Sequence, residues 1–162
     1  MRTSLDVIHR FLAQKRIAIV GVSRDPRHFS VHLFHELGMR GFDVVPVNPH
    51  VQTIHGKPCF ARLQDVHPAV KAVLVMTPAA ITDSVVHDCE KAGVQLVWMY
   101  RASGQGAVSG EAVRFCEERG IEVVPGECPL MFLGGAGTIH QVHGWIRKIT
   151  GRYPRSCARE AA

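Results

Sequence analysis

Five short apolar runs recur along the chain, and each is hydrophobic at nearly every position. They fall at residues 17–20, 44–47, 72–76, 96–99 and 123–124. The first reads Ile17-Ala18-Ile19-Val20, and the second holds Pro46 near its end. An alternating pattern would place one face in water. These runs do not alternate, so they read as strands covered on both sides. Between most of them lie stretches with helical period. Val31, Phe34 and Leu37 precede Gly41, and Ile81, Val85, Cys89 and Ala92 follow Thr77-Pro78, which reads as an N-cap with proline at the first helical position. Ser109 is placed to cap a helix carrying Val113 and Cys116 inward and stopping at Gly120. Leu5, Ile8 and Leu12 predict a leading helix, and Ile139, Val142, Ile146 and Ile149 predict a final one.

Strands alternating with helices predict an α/β, Rossmann-like fold: a doubly wound, mostly parallel five-stranded sheet with helices on both faces. The 162 residues suffice for one such domain, expected over 1–154, with a basic, frayed tail at 155–162. The segment 52–66 is the least regular. No apolar stretch approaches the ~20 residues of a membrane span, and the N-terminus lacks a signal-peptide pattern. The five cysteines form no CxxC pair and read as reduced thiols, so the expected compartment is the cytoplasm. The net charge of +5 is concentrated at the end: five of the 19 basic residues lie in the last nineteen positions. The remainder is close to neutral, so neither nucleic acid nor membrane is an expected partner.

A ligand in an open parallel sheet sits beyond the carboxyl ends of the strands. The loop after the first strand, Gly21-Val22-Ser23-Arg24-Asp25-Pro26, combines a glycine, hydroxyls at Ser23 and Ser30, and positive charge at Arg24 and Arg27. A helix beginning near Ser30 would aim its positive end at that loop, which makes a pyrophosphate-type anion site or else a tight turn with surface arginines. G-x-G-x-x-G is absent. Val47-Asn48-Pro49-His50 stands where a dinucleotide site wants an acid for the ribose hydroxyls, which disfavours ordinary NAD binding. Asn48 and His50 are suited to a ribose bearing a phosphate; Asn48-Pro49 also reads as a turn that ends a strand.

Ten histidines raise a metal reading, with His28, His32 and His35 on one helical face and His140 and His143 a turn apart. Neither set has a local carboxylate or cysteine, and no metal site is expected. Cys128 precedes Pro129 at the predicted ligand edge and reads as a buried thiol or, if its pKa is lowered, a reactive one. No triad order is present, so no catalytic residue is named. Trp98 reads as core, and Met99 as core or channel wall.

The stretches VGVSRDPRHFS, VVPVNP, GKPCFARLQDV, VLVMTP, VWM, GIEVVPGECPLMF and IHQVHGWIRKITGRYP together resemble the small stand-alone CoA-binding proteins. These are similar to the nucleotide-binding domain of the succinyl-CoA synthetase alpha subunit. The resemblance covers about residues 16–154 and implies a module that binds coenzyme A or an acyl-CoA. By position, it implies Gly21, Ser23, Arg24 and Ser30 at the phosphates, and Asn48, Pro49 and His50 near the adenosine 3′-phosphate. It implies Thr77, Pro78, Met99 and Tyr100 along the pantetheine arm, with Cys128 and Pro129 in the same crevice. The chain departs from the pattern at His50, where lysine is common, and at Ser30, where glycine is common. The expected role is a non-catalytic carrier, sensor or partner of a CoA enzyme, alone or as a homodimer. The alternatives are an NAD(P)-binding oxidoreductase or an acyl-CoA-transforming enzyme with Cys128 as nucleophile and His140/His143 as acid–base groups.

Overall fold

The computed structural model describes residues 4–101 and 104–134. The expected last helix, the His140/His143 pair and the basic tail lie outside the described residues. Helix α1 (Leu5–Leu12) leads into β1 (Arg16–Val20), α2 (Phe29–Met39) and β2 (Asp43–Val47). A two-residue-a-side hairpin, β3 (Thr53–Ile54) and β4 (Lys57–Pro58), and a 3-10 turn over Leu63–Asp65 follow. Then come β5 (Ala72–Val75), α3 (Ala79–Lys91), β6 (Leu96–Met99), α4 (Gly110–Glu118) and β7 (Glu122–Pro125). A second 3-10 turn covers Pro129–Met131.

The five long strands form one sheet in the order β2-β1-β5-β6-β7, and every pairing in it is parallel. The fold is therefore α/β and Rossmann-like, as the apolar runs predict. Side chains alternate across the sheet. Ala18, Val20, Val73, Val75, Val97 and Met99 pack with α3 and α4 on one face. Ile17, Ile19, Leu74, Trp98 and Val124 pack with α1 and α2 on the other. With both faces covered, the strands are apolar beyond their first residues, the charged Arg16, Asp43 and Glu122 standing only at amino ends. Helix α1 crosses beneath the far side of the sheet, resting on β6 and β7, and Arg10 pairs with Glu122 of β7.

Pro46 lies inside β2 without breaking the sheet because β2 is an edge strand, where a missing N–H costs no ladder bond. The irregular segment screens that edge. Phe60 N donates to Pro46 O at 3.1 Å, and Asn48 N donates to Phe60 O at 2.9 Å. An edge covered in this way offers no free ladder to another chain.

Local caps follow the sequence in part. Ser109 caps α4, its Oγ accepting from Ala112 N at 3.3 Å, and Gly120 ends the helix region at φ +68°. Helix α3 begins one residue later than expected. Pro78, not Thr77, is the N-cap, with ψ at 148°, and no side chain caps it. The proline ring sets φ in a range common to helix and extended chain, so ψ alone decides on which side of the boundary it falls. The predicted inward stripe of α3 also shifts. Ile81 is 49% exposed, while Thr82, Val85, Val86 and Cys89 face the sheet. The first turn of α3 overhangs the sheet's carboxyl edge, so Ile81 points past the strands rather than onto them.

Candidate functional site

The strand order reverses direction between β1 and β5. The chain leaves β1 toward β2 on one side, then returns to β5 on the other. A crevice opens at the carboxyl ends of such a pair. Here it holds a cavity of about 320 Å³ bounded by Gly21 and Thr77 at the strand ends. That size falls within the ~300–1,000 Å³ of small-molecule sites. Val47, Pro49, Leu63, Ile81 and Val85 give apolar walls, and Asn48, His50, Arg62 and Asp88 supply polar points.

Gly21 sits at φ +94°, and a β-carbon there would lie 3.0 Å from Thr77 N and 3.1 Å from Met76 C. The glycine thus permits the ends of β1 and β5 to approach closely, whatever else it permits a ligand to do. Asn48 closes the neighbouring corner. Its Nδ2 donates to Val22 O at 3.3 Å, and its Oδ1 accepts from His50 N at 2.9 Å. This Asx turn ends β2 and holds exposed His50 at the rim. Asn48-Pro49 thus makes the expected turn, and the same two residues line the cavity.

The loop after β1 is held by its own side chains. Ser23 N donates to Ser30 Oγ at 3.0 Å, and Asp25 N donates to Ser23 Oγ at 3.0 Å. His28 caps α2 by accepting from Ser30 N through Nδ1 at 3.2 Å. Arg27 is paired with Asp25 at 3.0 Å, and this guanidinium holds the exposed Asp25 carboxyl below its usual range. Much of the loop's hydrogen-bonding capacity is therefore spent internally. The amides of Val22 and Arg24 make no hydrogen bond with a described residue, and exposed Arg24 has no ion pair among them. Ser30 is fully buried. Its hydroxyl shapes the loop and offers no surface to a ligand.

Gly21, Asn48, Pro49, His50 and Thr77 meet at the cavity. Ser23 and Arg24 lie on the loop beside it, and Pro78 is exposed at the start of α3. Met99 is fully buried in the core between the sheet and α3/α4, so it presents nothing to a crevice in this conformation. Tyr100 belongs to another group. Its ring stacks on Phe29 at 5.3 Å, and burial pushes its hydroxyl well above the usual tyrosine pKa. Cys128 and Pro129 are buried beyond β7. Ile81, Arg62 and Asp88 were not expected at the cavity. An exposed isoleucine on an otherwise amphipathic helix is the signal for the first, and Arg62 came from the segment without readable period. Asp88 is engaged, accepting from Gln64 Nε2 at 3.2 Å.

Among the described residues no group of three or more His, Cys, Asp or Glu side chains could hold a metal. No helix among them is long and apolar enough to cross a membrane.

The thiols divide by environment. Burial raises Cys128, against hydrogen bonds from the Leu130 and Met131 amides that favour its thiolate. Burial pushes Cys116 up to about 12 and Cys89 further. Burial raises Cys59 as well, but this thiol is only partly buried and so stays within reach of solvent. A buried neutral thiol is favoured over its thiolate, so this contribution to folding is intact below the unfolded thiol pKa. It is lost as pH climbs from there toward about 12. At pH 7.5, alkylation followed by peptide mass mapping is expected to modify Cys59 first among the described cysteines, with Cys128 at least tenfold slower. Faster labelling of Cys128 would show an activated thiol.

Residues 15–134 match the family described as a CoA binding domain. The Bacillus subtilis protein YneT is 25% identical over 114 residues, covering 70% of this chain and 82% of its own. A hypothetical protein from Pyrococcus horikoshii has this architecture at TM-score 0.71 and 26% identity, over 77% of this chain and 85% of that one. Acetyl-coenzyme A synthetase 1 of Ca. Korarchaeum cryptofilum, solved with phosphate and ADP, matches at TM-score 0.63 and 27% identity. That match covers 73% of this chain but only 27% of the synthetase.

Proposed function

The chain belongs to the CoA binding domain family, and on that premise we propose that it binds coenzyme A or an acyl-CoA along the carboxyl edge of the sheet as a non-catalytic module. The observation that carries this reading is the cavity at the reversal of strand order, walled by Asn48, Pro49, His50 and Thr77 and closed by Gly21. The adenosine end lies in that cavity, its base against Ile81 and Leu63. His50 and Arg62 stand at the polar rim, suited to the 3′-phosphate. Arg62 also pairs with Asp65 at 3.3 Å, an exposed contact that a phosphate can replace at little cost. The pyrophosphate lies over Gly21, near the open amides of Val22 and Arg24 and the Arg24 side chain. Ser23 and Ser30 keep that loop in shape. The pantetheine arm passes Thr77 and Pro78 toward Tyr100, with Cys128 and Pro129 beneath the far end.

No acidic residue ends β2 to meet two free ribose hydroxyls, which favours CoA over NAD. The raised, buried Cys128 disfavours a thiolate nucleophile. Its partners in this reading are the cofactor and, through the cofactor, a larger CoA enzyme or a second copy of the chain.

The test is a melting series with CoA, NAD and NADP. A ligand at 100 times its Kd stabilises by about 2.7 kcal/mol, which raises Tm by roughly 5–10 °C in a chain of this size. CoA is expected to give such a shift and NAD none. A shift with NAD or NADP alone would overturn the reading.

A further inference from the structure

Arg101 is the second residue after β6, at the carboxyl edge of the sheet. Two glycines make room for it. A β-carbon at Gly106 would lie 2.6 Å from Tyr100 O and 2.9 Å from Arg101 Cα. A β-carbon at Gly126 would lie 2.5 Å from Arg101 Nη2 and 2.7 Å from both Cζ and Nε. A point so near three bonded atoms of one planar group stands over its plane, not beside it. The guanidinium therefore lies face-down on Gly126. Gly126 is the residue after β7, and its amide donates to Met99 O at 2.9 Å. The arginine thus spans the ends of β6 and β7.

With one face against the backbone, the N–H donors of Arg101 radiate in the plane of the group. None of them bonds to a described residue. The arginines at 10, 16, 27, 40, 62 and 119 all have carboxylate partners. Of the described arginines without one, Arg24 and Arg114 are exposed, and Arg101 is half-buried. Glu127, the neighbouring acid, is buried and has interactions of its own. An arginine held in place while its donors stay unspent is arranged for an anion. A planar fork fits a carboxylate in two-point contact.

Where that anion comes from follows if the cofactor reading above is right, on which this inference rests. The sheet order runs β2-β1-β5-β6-β7. With adenosine at β2 and pyrophosphate at β1, the pantetheine arm runs past β5. Strands lie ~4.8 Å apart, so the β6–β7 boundary is roughly 12 Å from β1, within reach of the extended arm. The sulfur end of the cofactor then arrives at Arg101. We propose that Arg101 receives a carboxylate carried on the acyl group, so that the preferred ligand is the CoA thioester of a dicarboxylic acid.

Calorimetric titrations with CoA, acetyl-CoA and succinyl-CoA test this. Succinyl-CoA is expected to bind the parent protein about tenfold tighter than acetyl-CoA, the scale of a charge-assisted contact. Arg101→Gln is expected to bring that ratio close to one. Arg101→Lys, which keeps the charge and loses the fork, is expected to leave about two- to fivefold. Equal affinities in the parent protein would overturn the proposal, and so would a preference surviving in Arg101→Gln. Uniform weakening of all three ligands by Arg101→Gln, with no preference in the parent, would assign the arginine to a phosphate of the cofactor instead. Binding of none of the three would remove the cofactor reading itself.

Discussion

Replacing Trp98 with alanine is expected to lower the unfolding free energy by about 3–5 kcal/mol. Trp98 is the largest fully buried side chain of the described residues, on an interior strand. Its ring meets Phe11 of α1 edge-on at 5.1 Å and Phe132 at 6.0 Å. Its Nε1 donates to Glu127 O at 2.8 Å, tying the sheet to the loop that carries Cys128. Removing the indole opens a cavity and leaves a buried carbonyl without that donor, two costs that add. Trp98→Phe keeps most of the apolar body and loses the donor with a smaller volume, so about 1–3 kcal/mol is expected. Urea unfolding followed by far-UV circular dichroism measures both. A Trp98→Ala protein within 1 kcal/mol of the parent would mean that the indole is not packed as described.

Gly21→Ala is the second large effect, expected at about 2–4 kcal/mol. A positive φ of +94° disfavours any β-carbon, at roughly 1–2 kcal/mol. Overlap with surrounding atoms adds about 1–3 kcal/mol. Two of the atoms in the way, Thr77 N and Met76 C, are backbone and cannot swing aside. Relief requires β1 and β5 to part at their carboxyl ends, which also widens the crevice. CoA affinity is therefore expected to fall together with stability. Gly38→Ala is the control, since Gly38 lies within α2 with nothing inside 4 Å of an added β-carbon. It is expected to stabilise by about 0.5–1 kcal/mol. The same chemical change should act with opposite sign at the two positions, and equal effects would refute the steric account of Gly21.

The five strands could be read from the sequence because burial on both faces leaves an apolar run that no solvent-facing pattern imitates. Ser109 and Gly120 could be read because caps are local chemistry. The family resemblance carried by the loop motifs agrees with the match over residues 15–134. Strand order was not readable, since no local pattern says that β5 lies beside β1. The exposure of Ile81 depended on that order, because only the assembled sheet shows where its edge ends and α3 continues. The β3–β4 hairpin is too short to carry a period. Ser30 shows the limit at the site. A hydroxyl near an anion loop can face the ligand or the loop, and only the 3.0 Å contact with Ser23 N decides between them. Met99 carried the same ambiguity, since the side chain of a strand's last residue has two places to go, the crevice and the core.

The placement of α1 constrains the order in which the molecule assembles. Its Ile8 and Phe11 are covered by β6 and its surroundings, and its Arg10 reaches Glu122. A nascent chain emerging amino end first therefore exposes a greasy helix whose seat on β6 and β7 arrives only after more than eighty further residues. Contacts of such sequence separation close slowly, and the opening segment spends that interval available to chaperones.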